Sequence, residues 1–429
     1  MTPTPPKIFL SAGEASGDHY GAEILKQLHS VLSNFTAFGL GGTEMEAAGQ
    51  QRIVRAEDVA VMGITEVVRH MPRIYGEYRK LVESIRHERP DVAVLIDFPD
   101  VNLRLAEKLH QKGVPVIYFV SPQLWAWKRS RIETVRRFVS KMLVIFPFEE
   151  SFYRNRGVNA EFVGHPLAEM PLPTISRAEY ARAHELHSSR TWVALLPGSR
   201  MREVRHNLPV MLEAASRMGP EYEFLLPVAS TLATDAIREK VRQLQPSATF
   251  NLHLVEDARA ALYQARAAVV ASGTATVQAA VVGNPFIAVY RVSGLTYAMA
   301  KNMVRYPKEI PATRDAYGNL PVAMANLIAA GVEPGMRVVP ELLQENFTAQ
   351  HVVDQLLPLL ADGPERSKMQ QQLLRVRSAL LPTEPSQTHS LNSIARVCQA
   401  IAGQIQSKTI SADAASNNAA PETNSTSTR

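Results

Sequence analysis

Short apolar runs that end in a glycine- or acid-bearing turn and give way to a helical period recur along this chain. They constrain its fold more than any other feature. The clearest is Asp91-Val92-Ala93-Val94-Leu95-Ile96-Asp97-Phe98-Pro99-Asp100, preceded by Pro90. It is short, β-branched and almost unbroken, which predicts a strand buried on both faces in a parallel sheet. In open α/β sheets, ligands bind outside the carboxyl ends of the strands. Asp97 is therefore the candidate centre of the chemistry. Asp100 is the expected cap of a helix from about Val101 to Gln111.

The same pattern opens the chain. Ile8 to Ala12 predicts a strand, and Gly13-Glu14-Ala15-Ser16-Gly17-Asp18 leads into a helix through about Leu28. Ser16 or Asp18 is the expected cap, and Glu14 is a second acid at a strand tip. Phe35 to Leu40 predicts another strand. Gly39-Leu40-Gly41-Gly42-Thr43-Glu44 lacks the third glycine of a dinucleotide fingerprint and reads as an ordinary turn. Strands follow near Val116–Val120, Met142–Phe146 and Ala160–Val163, the last ending in Gly164-His165. After a linker the alternation restarts at Trp192-Val193-Ala194-Leu195-Leu196, with strands near Glu223–Leu226, Asn251–Val255, Ala267–Val270 and Phe286–Tyr290.

Two successive βα arrays predict an α/β protein of two doubly wound, Rossmann-like domains facing across a cleft. The expected limits are 1–170 and 171–350, with helices over 351–406. Residues 407–429 carry no apolar period and are expected to be disordered. A length of 429 residues agrees with more than one core.

Composition excludes more than it selects. The net charge of +5 allows nucleic acid, acidic membrane or phosphorylated ligands and chooses none. One cysteine, Cys398, rules out an internal disulfide and suits a reducing compartment. It reads as a small buried residue. No metal-ligand spacing is present. The N-terminus lacks the plan of a signal peptide, and no run reaches the ~18 apolar residues of a membrane span. A cytoplasmic protein, soluble or membrane-peripheral, is expected.

Several segments are candidates for binding. Ile64, Val67, Val68, Met71, Ile74 and Tyr78 recur at helical spacing among Arg69, Arg73, Arg79 and Lys80, with Pro72 expected to kink or split the helix. Such a face covers a sheet in the commoner case, or else lies on an anionic membrane or grips an acyl chain. Trp125 and Trp127 sit in a turn after a strand and are expected to line a surface, with Arg129 and Arg131 beyond them. In Leu196-Pro197-Gly198-Ser199-Arg200 and Ala271-Ser272-Gly273-Thr274-Ala275-Thr276, a strand opens into a helix start rich in glycine and hydroxyls. Two such turns in one half point to a phosphate or nucleotide site. Neither is a Walker loop, and no Gly-x-Ser-x-Gly elbow appears.

Taken in order, Ser11–Asp18, Val61–Ile64, Ile96–Asp100, Val120–Trp127, Gly164-His165, Leu196–Arg200 and Ala271–Ala275 resemble the lipid-A-disaccharide synthase family, from about residue 8 to about 350. The resemblance implies a metal-independent, inverting GT-B glycosyltransferase without a cofactor. It implies a UDP-2,3-diacylglucosamine donor and a 2,3-diacylglucosamine 1-phosphate acceptor. The products are the β-1,6-linked disaccharide and UDP. It also implies a peripheral place on the cytoplasmic face of a Gram-negative inner membrane. A homodimer is allowed, and nucleic acid is not an expected partner. Two departures stand out. Gln278 lies where related UDP-sugar enzymes often carry a Glu. The stretch holding Pro307, Pro311 and Pro321 looks longer than usual.

On this reading Asp97 is the general base, with Glu14 as the alternative base or acceptor guide. Gly198, Ser199, Arg200, Ser272, Gly273, Thr274, Gln278, Asn326 and Gln344 are expected at the UDP-sugar. Ser16, Ile64, Val67, Val68, Met71, Trp125, Arg129 and Arg131 are expected at the acceptor or lipid. Competing readings are another UDP-sugar GT-B enzyme, either a different transferase or a UDP-N-acetylglucosamine 2-epimerase, which needs neither acceptor nor lipid, and a non-catalytic UDP-sugar or phospholipid-binding module.

Overall fold

In the computed structural model the described residues are 5–59, 64–245, 250–294, 297, 304–382 and 391–417. The side chains of 64–71 and 409–417 also fall outside the description. The chain divides into two compact units. The first comprises Met1–Ile145, Glu149–Val163 and Glu384–Arg429; the second comprises Phe146–Phe148 and Gly164–Thr383.

Each unit is built on one parallel sheet. In the first, β1 (Lys7–Ala12), β2 (Thr36–Gly41), β3 (Gln51–Arg55), β4 (Val92–Ile96), β5 (Val116–Phe119), β6 (Lys141–Val144) and β7 (Ala160–Phe162) lie in the order β3-β2-β1-β4-β5-β6-β7. In the second, β8 (Thr191–Leu196), β9 (Tyr222–Pro227), β10 (Asn251–Val255), β11 (Ala267–Ala271), β12 (Phe286–Tyr290) and β13 (Glu341–Leu343) lie in the order β10-β9-β8-β11-β12-β13. Both orders are doubly wound. The winding reverses between β1 and β4 in one sheet and between β8 and β11 in the other.

The central strands are apolar on both faces because helices cover both. Every residue of β4 and of β11 is buried. β3, at an edge, has the burial of a strand wet on one side, and its Gln-Arg-Ile-Val-Arg run offers no sequence signal of a buried strand.

Several expectations need correction. Helix Ile64–Glu88 runs through Pro72 as one helix. The side chains of Ile64, Val67, Val68 and Met71 lie outside the described residues, as do Val61 and Met62. The C-terminal helices do not form one body. Ala349–Leu360 and Pro364–Ala379 belong to the second unit, while Ser393–Asn417 returns to the first and packs on helix Ala15–Leu28. There Cys398 is buried against the Ile24 carbonyl, and burial pushes its thiol up to about 12. Lys408 pairs with Asp91 at 3.2 Å. Regular structure thus extends past residue 407; 418–429 lie outside the described residues. Among the described residues no helix is long and apolar enough to cross a membrane.

Candidate active site

Asp97 follows the last residue of β4, and Gly13 follows the last residue of β1. The Ala12–Ile96 register sets these two turns side by side at the reversal of winding. Asp97 and Phe98 both have left-handed backbones, φ 45° and 49°. Such conformations cost bulky residues on the order of 1–3 kcal/mol each and persist only where surroundings enforce them. Here the enforcement is visible. Phe119 accepts the Asp97 N–H at 3.0 Å. The Asp97 carbonyl accepts from Tyr118 Oη at 2.6 Å and Asn102 Nδ2 at 2.7 Å. Asn102 is fully buried; its amide also reaches the Ile96 carbonyl at 3.1 Å and takes the Ser11 hydroxyl at 2.6 Å. One side chain thus ties the ends of β1 and β4 together and leaves the Asp97 carboxylate half-buried.

The turn at Gly13 has no room for a side chain. A Cβ there would lie 2.4 Å from the Phe98 ring. Tyr20 and Tyr118 complete the surroundings. Burial, then the negative charge of Asp97, pushes the Tyr20 phenol up to about 12 and raises Tyr118 well above its ordinary range. Both phenols therefore stay protonated beside the Asp97 carboxyl group. Glu14 is exposed and begins helix Ala15–Leu28, with Ser16 exposed in its first turn.

The capping roles differ from expectation. Neither Ser16 nor Asp18 caps helix Ala15–Leu28. The Asp18 carboxylate instead accepts the backbone N–H groups of Gly42, Glu44 and Met45 at 2.7, 3.0 and 3.2 Å, closing the start of helix Thr43–Ala47. Asp100 is not a cap either, since helix Pro99–His110 starts from Phe98. It accepts from Arg131 at 2.6 Å and lies 3.8 Å from Lys128. Burial opposes its ionisation, but the Arg131 hydrogen bond and the charges of Arg131, Lys128 and Arg104 outweigh it and hold the carboxyl below its usual range.

Both tryptophans were expected to line a surface, with Trp125 at the acceptor, yet only Trp127 of the two is exposed. Trp125 is 1% exposed, and its indole N–H is held by the buried Glu149 carboxylate at 3.0 Å, which also takes the Ser121 hydroxyl at 2.7 Å. It anchors the turn. Trp127 is 47% exposed with the Lys128 ammonium 4.3 Å from its ring centroid. Arg129 reaches the Trp125 carbonyl at 3.4 Å.

In the second unit the turns after β8 and β11 flank the other reversal of winding. They differ in one respect that matters. Gly198 has φ 125°, and helix Met201–Met218 starts from Arg200. The Glu203 carboxylate folds back to accept the Ser199 N–H at 3.0 Å, and Arg200 lies 3.7 Å from it. A Cβ on Gly198 would meet that carboxylate at 2.3 Å. An acid of the chain itself thus fills this helix start. Asn207 donates to the Pro197 carbonyl at 2.8 Å from beneath. Helix Thr274–Val282, by contrast, starts from Gly273 with φ 144°, no side-chain cap, and open space where a Cβ would stand. Gly273 and Thr274 are exposed, Gln278 is half-buried, and the Ser272 hydroxyl donates to the Val322 carbonyl at 3.1 Å. Backbone N–H groups left open at a helix start suit a phosphate.

Two residues expected at the UDP-sugar are committed elsewhere. Asn326 is 0% exposed. Its amide donates to the Val339 carbonyl and Glu341, and its oxygen accepts from Val338 and Val339. That exhausts the amide's hydrogen-bonding capacity for a ligand. Gln344 brackets the backbone of Val292, donating to its carbonyl at 3.0 Å and accepting its N–H at 2.8 Å. Both lock loops in place. Asn102, Tyr20 and Tyr118 were missed, and the available signal was a polar Asn on the apolar face of the helix after Asp97. No cluster of His, Cys, Asp and Glu able to hold a metal occurs among the described residues.

The lipid-A-disaccharide synthetase family matches residues 8–395. The chain is 55% identical over 403 residues to a lipid-A-disaccharide synthase of Acidobacterium capsulatum, covering 91% of this chain and 94% of that protein. To the lipid-A-disaccharide synthase of Koribacter versatilis it is 49% identical over 376 residues, covering 87% and 93%. Among solved structures, the glycotransferase of kitacinnamycin aligns with a TM-score of 0.57 at 13% identity, over 94% of this chain and 100% of that one. The UDP-GlcNAc 2-epimerase of Neisseria meningitidis, bound to UDP-GlcNAc, aligns at 0.52 and 10% identity, over 94% and 99%. At such identities the likeness concerns fold alone.

Proposed function

The chain belongs to the lipid-A-disaccharide synthetase family, and from that premise we propose how its residues divide the reaction. It is a glycosyltransferase of the GT-B type. It transfers 2,3-diacylglucosamine from its UDP conjugate to 2,3-diacylglucosamine 1-phosphate and releases UDP. The epimerase reading shares the fold but not the family.

The first unit supplies the base. Asp97 takes the proton of the acceptor hydroxyl as that oxygen attacks the donor's anomeric carbon, and the C–O bond to UDP breaks with inversion. General-base help of this kind is worth about 10²–10⁴ in rate. The pinned backbone fixes where the carboxylate stands, and Glu14 on the neighbouring turn guides the acceptor. The second unit supplies the leaving-group site. The open helix start at Gly273-Thr274 receives the diphosphate, where fixed N–H dipoles stabilise the developing charge. Arg200 adds a charge, and Gln278 faces the ribose. The acceptor phosphate meets Arg129 and Arg131. The Trp127–Lys128 corner and helix Ile64–Glu88 rest on the inner-membrane surface at its cytoplasmic face.

One observation carries this reading: the four turns bearing these groups flank the two points where the sheets reverse their winding. The test is incubation with UDP-2,3-diacylglucosamine and 2,3-diacylglucosamine 1-phosphate. Disaccharide and UDP should appear in equal amounts, and UDP release without acceptor, or none with both, would refute it.

A further inference from the structure

The second unit contains a cavity of about 570 Å³ that the reaction does not use. It lies at the amino-terminal end of β8, lined by Arg190, Thr191 and Trp192, and reaches Arg266 just before β11. The proposed donor turns leave the opposite ends of the same two strands. A strand of six residues spans about 20 Å, so the two places are separate.

Its lining is strongly cationic. Arg177, Arg190, Arg266 and Arg366 face a single acid, Asp362, which Arg266 holds. Arg366 is 9% exposed. It donates through Nη1 alone, to the carbonyls of Arg266 at 2.6 Å and Leu359 at 2.8 Å. Among the described residues its Nε and Nη2 make no hydrogen bond, and Arg366 lines the cavity. Arg190 reaches Glu223 only at 3.9 Å. Arg177 lies over Trp192, its Cζ 3.6 Å from the ring centroid, and donates to the carbonyls of Ser188, Arg190 and Gln264. Of the four, Arg366 is the buried charge, and burial together with the Arg266 charge holds its guanidinium below its ordinary range.

We propose that this cavity is a second anion site, taking a phosphate or diphosphate group on Arg190, Arg266 and Arg366. Guanidinium forks match phosphate oxygens in pairs, and the volume falls within the range of small-ligand sites. The group comes from a soluble phosphate or from an anionic lipid headgroup. The proposal stands independently of the donor-site assignment.

Calorimetric titration of the full chain, with UDP held at saturation, tests it. Inorganic diphosphate is one probe; vesicles of phosphatidylglycerol in phosphatidylcholine are the other, against phosphatidylcholine alone. At least one should bind saturably with UDP present, and Arg190→Gln should weaken binding about tenfold, as loss of one charge-assisted contact does. Arg366→Lys should weaken it further. Diphosphate binding identifies a soluble anion, and binding of anionic vesicles alone identifies a headgroup. Arg190→Gln, on a partly exposed side chain, is checked by an unchanged melting temperature. Absence of binding by both probes, displacement by UDP, or equal affinity in a folded Arg190→Gln variant would overturn the site.

Discussion

Hydrogen bonds to its backbone hold Asp97 in place. Two consecutive left-handed residues, Asp97 and Phe98, turn the chain sharply out of β4, and three hydrogen bonds to the Asp97 peptide hold that turn. The Phe98 ring then covers Gly13, which is why no side chain fits there. Gly13→Ala should therefore displace the ring and disturb both turns at once. We expect a loss of about 1–3 kcal/mol in denaturant midpoint analysis, as for other overpacked sites, with turnover falling as well. A variant with full stability and full turnover would show that the contact is not needed. Sequence alone placed Asp97 at a strand tip because the apolar run is so clear. It marked Asn102 only as a polar residue on an apolar helix face and could not show its bond to Ser11, far away in the chain.

At the scale of elements, the central strands and the edge strands β7 and β10 were legible, and the edge strands β3 and β13 were not. β4, β8 and β11 are buried on both faces, so their sequences are continuous apolar runs. β3 and β13 are edge strands, short or half-wet, and carry no such mark. Loop chemistry was legible as glycine and hydroxyl content, but not its direction. Asn326 and Gln344 looked like ligand contacts and instead hold loops. The Glu341 carboxyl shows the cost of that arrangement. Burial raises its pKa, against hydrogen bonds from Val322, Asn326 and Ala323 and the charge of Arg337. Asn326→Ala should leave the Val338 and Val339 N–H groups buried without a partner. That should cost about 1–3 kcal/mol and leave the donor KM of the folded enzyme unchanged. A raised KM with unaltered melting would return Asn326 to the donor site.

At the scale of the whole molecule, acid stability has an identifiable source in the second unit. His165 is buried, accepts the Leu167 N–H at 3.2 Å, and is lowered by burial from 6.5 to about 3. Between those values the unfolded chain binds a proton that the folded chain refuses. Stability is therefore complete above about 6.5 and is lost as pH falls toward 3, by at most about 1.4 kcal/mol per pH unit. His165→Asn keeps an acceptor without a titrating group, and unfolding curves across that window should show a flatter slope. An unchanged slope would place the acid sensitivity elsewhere.

The division of labour between the units makes the sharpest demand. If the first unit supplies the base and the second holds UDP, one substitution should separate chemistry from binding. Asparagine tolerates a left-handed backbone, so Asp97→Asn removes the base with the turn intact. The decisive measurement is kcat and UDP affinity on the same Asp97→Asn preparation. We predict a fall in kcat of about 10²–10⁴ with UDP binding unchanged. Near-normal turnover would contradict the account, and with it the assignment of Asp97 as the proton acceptor.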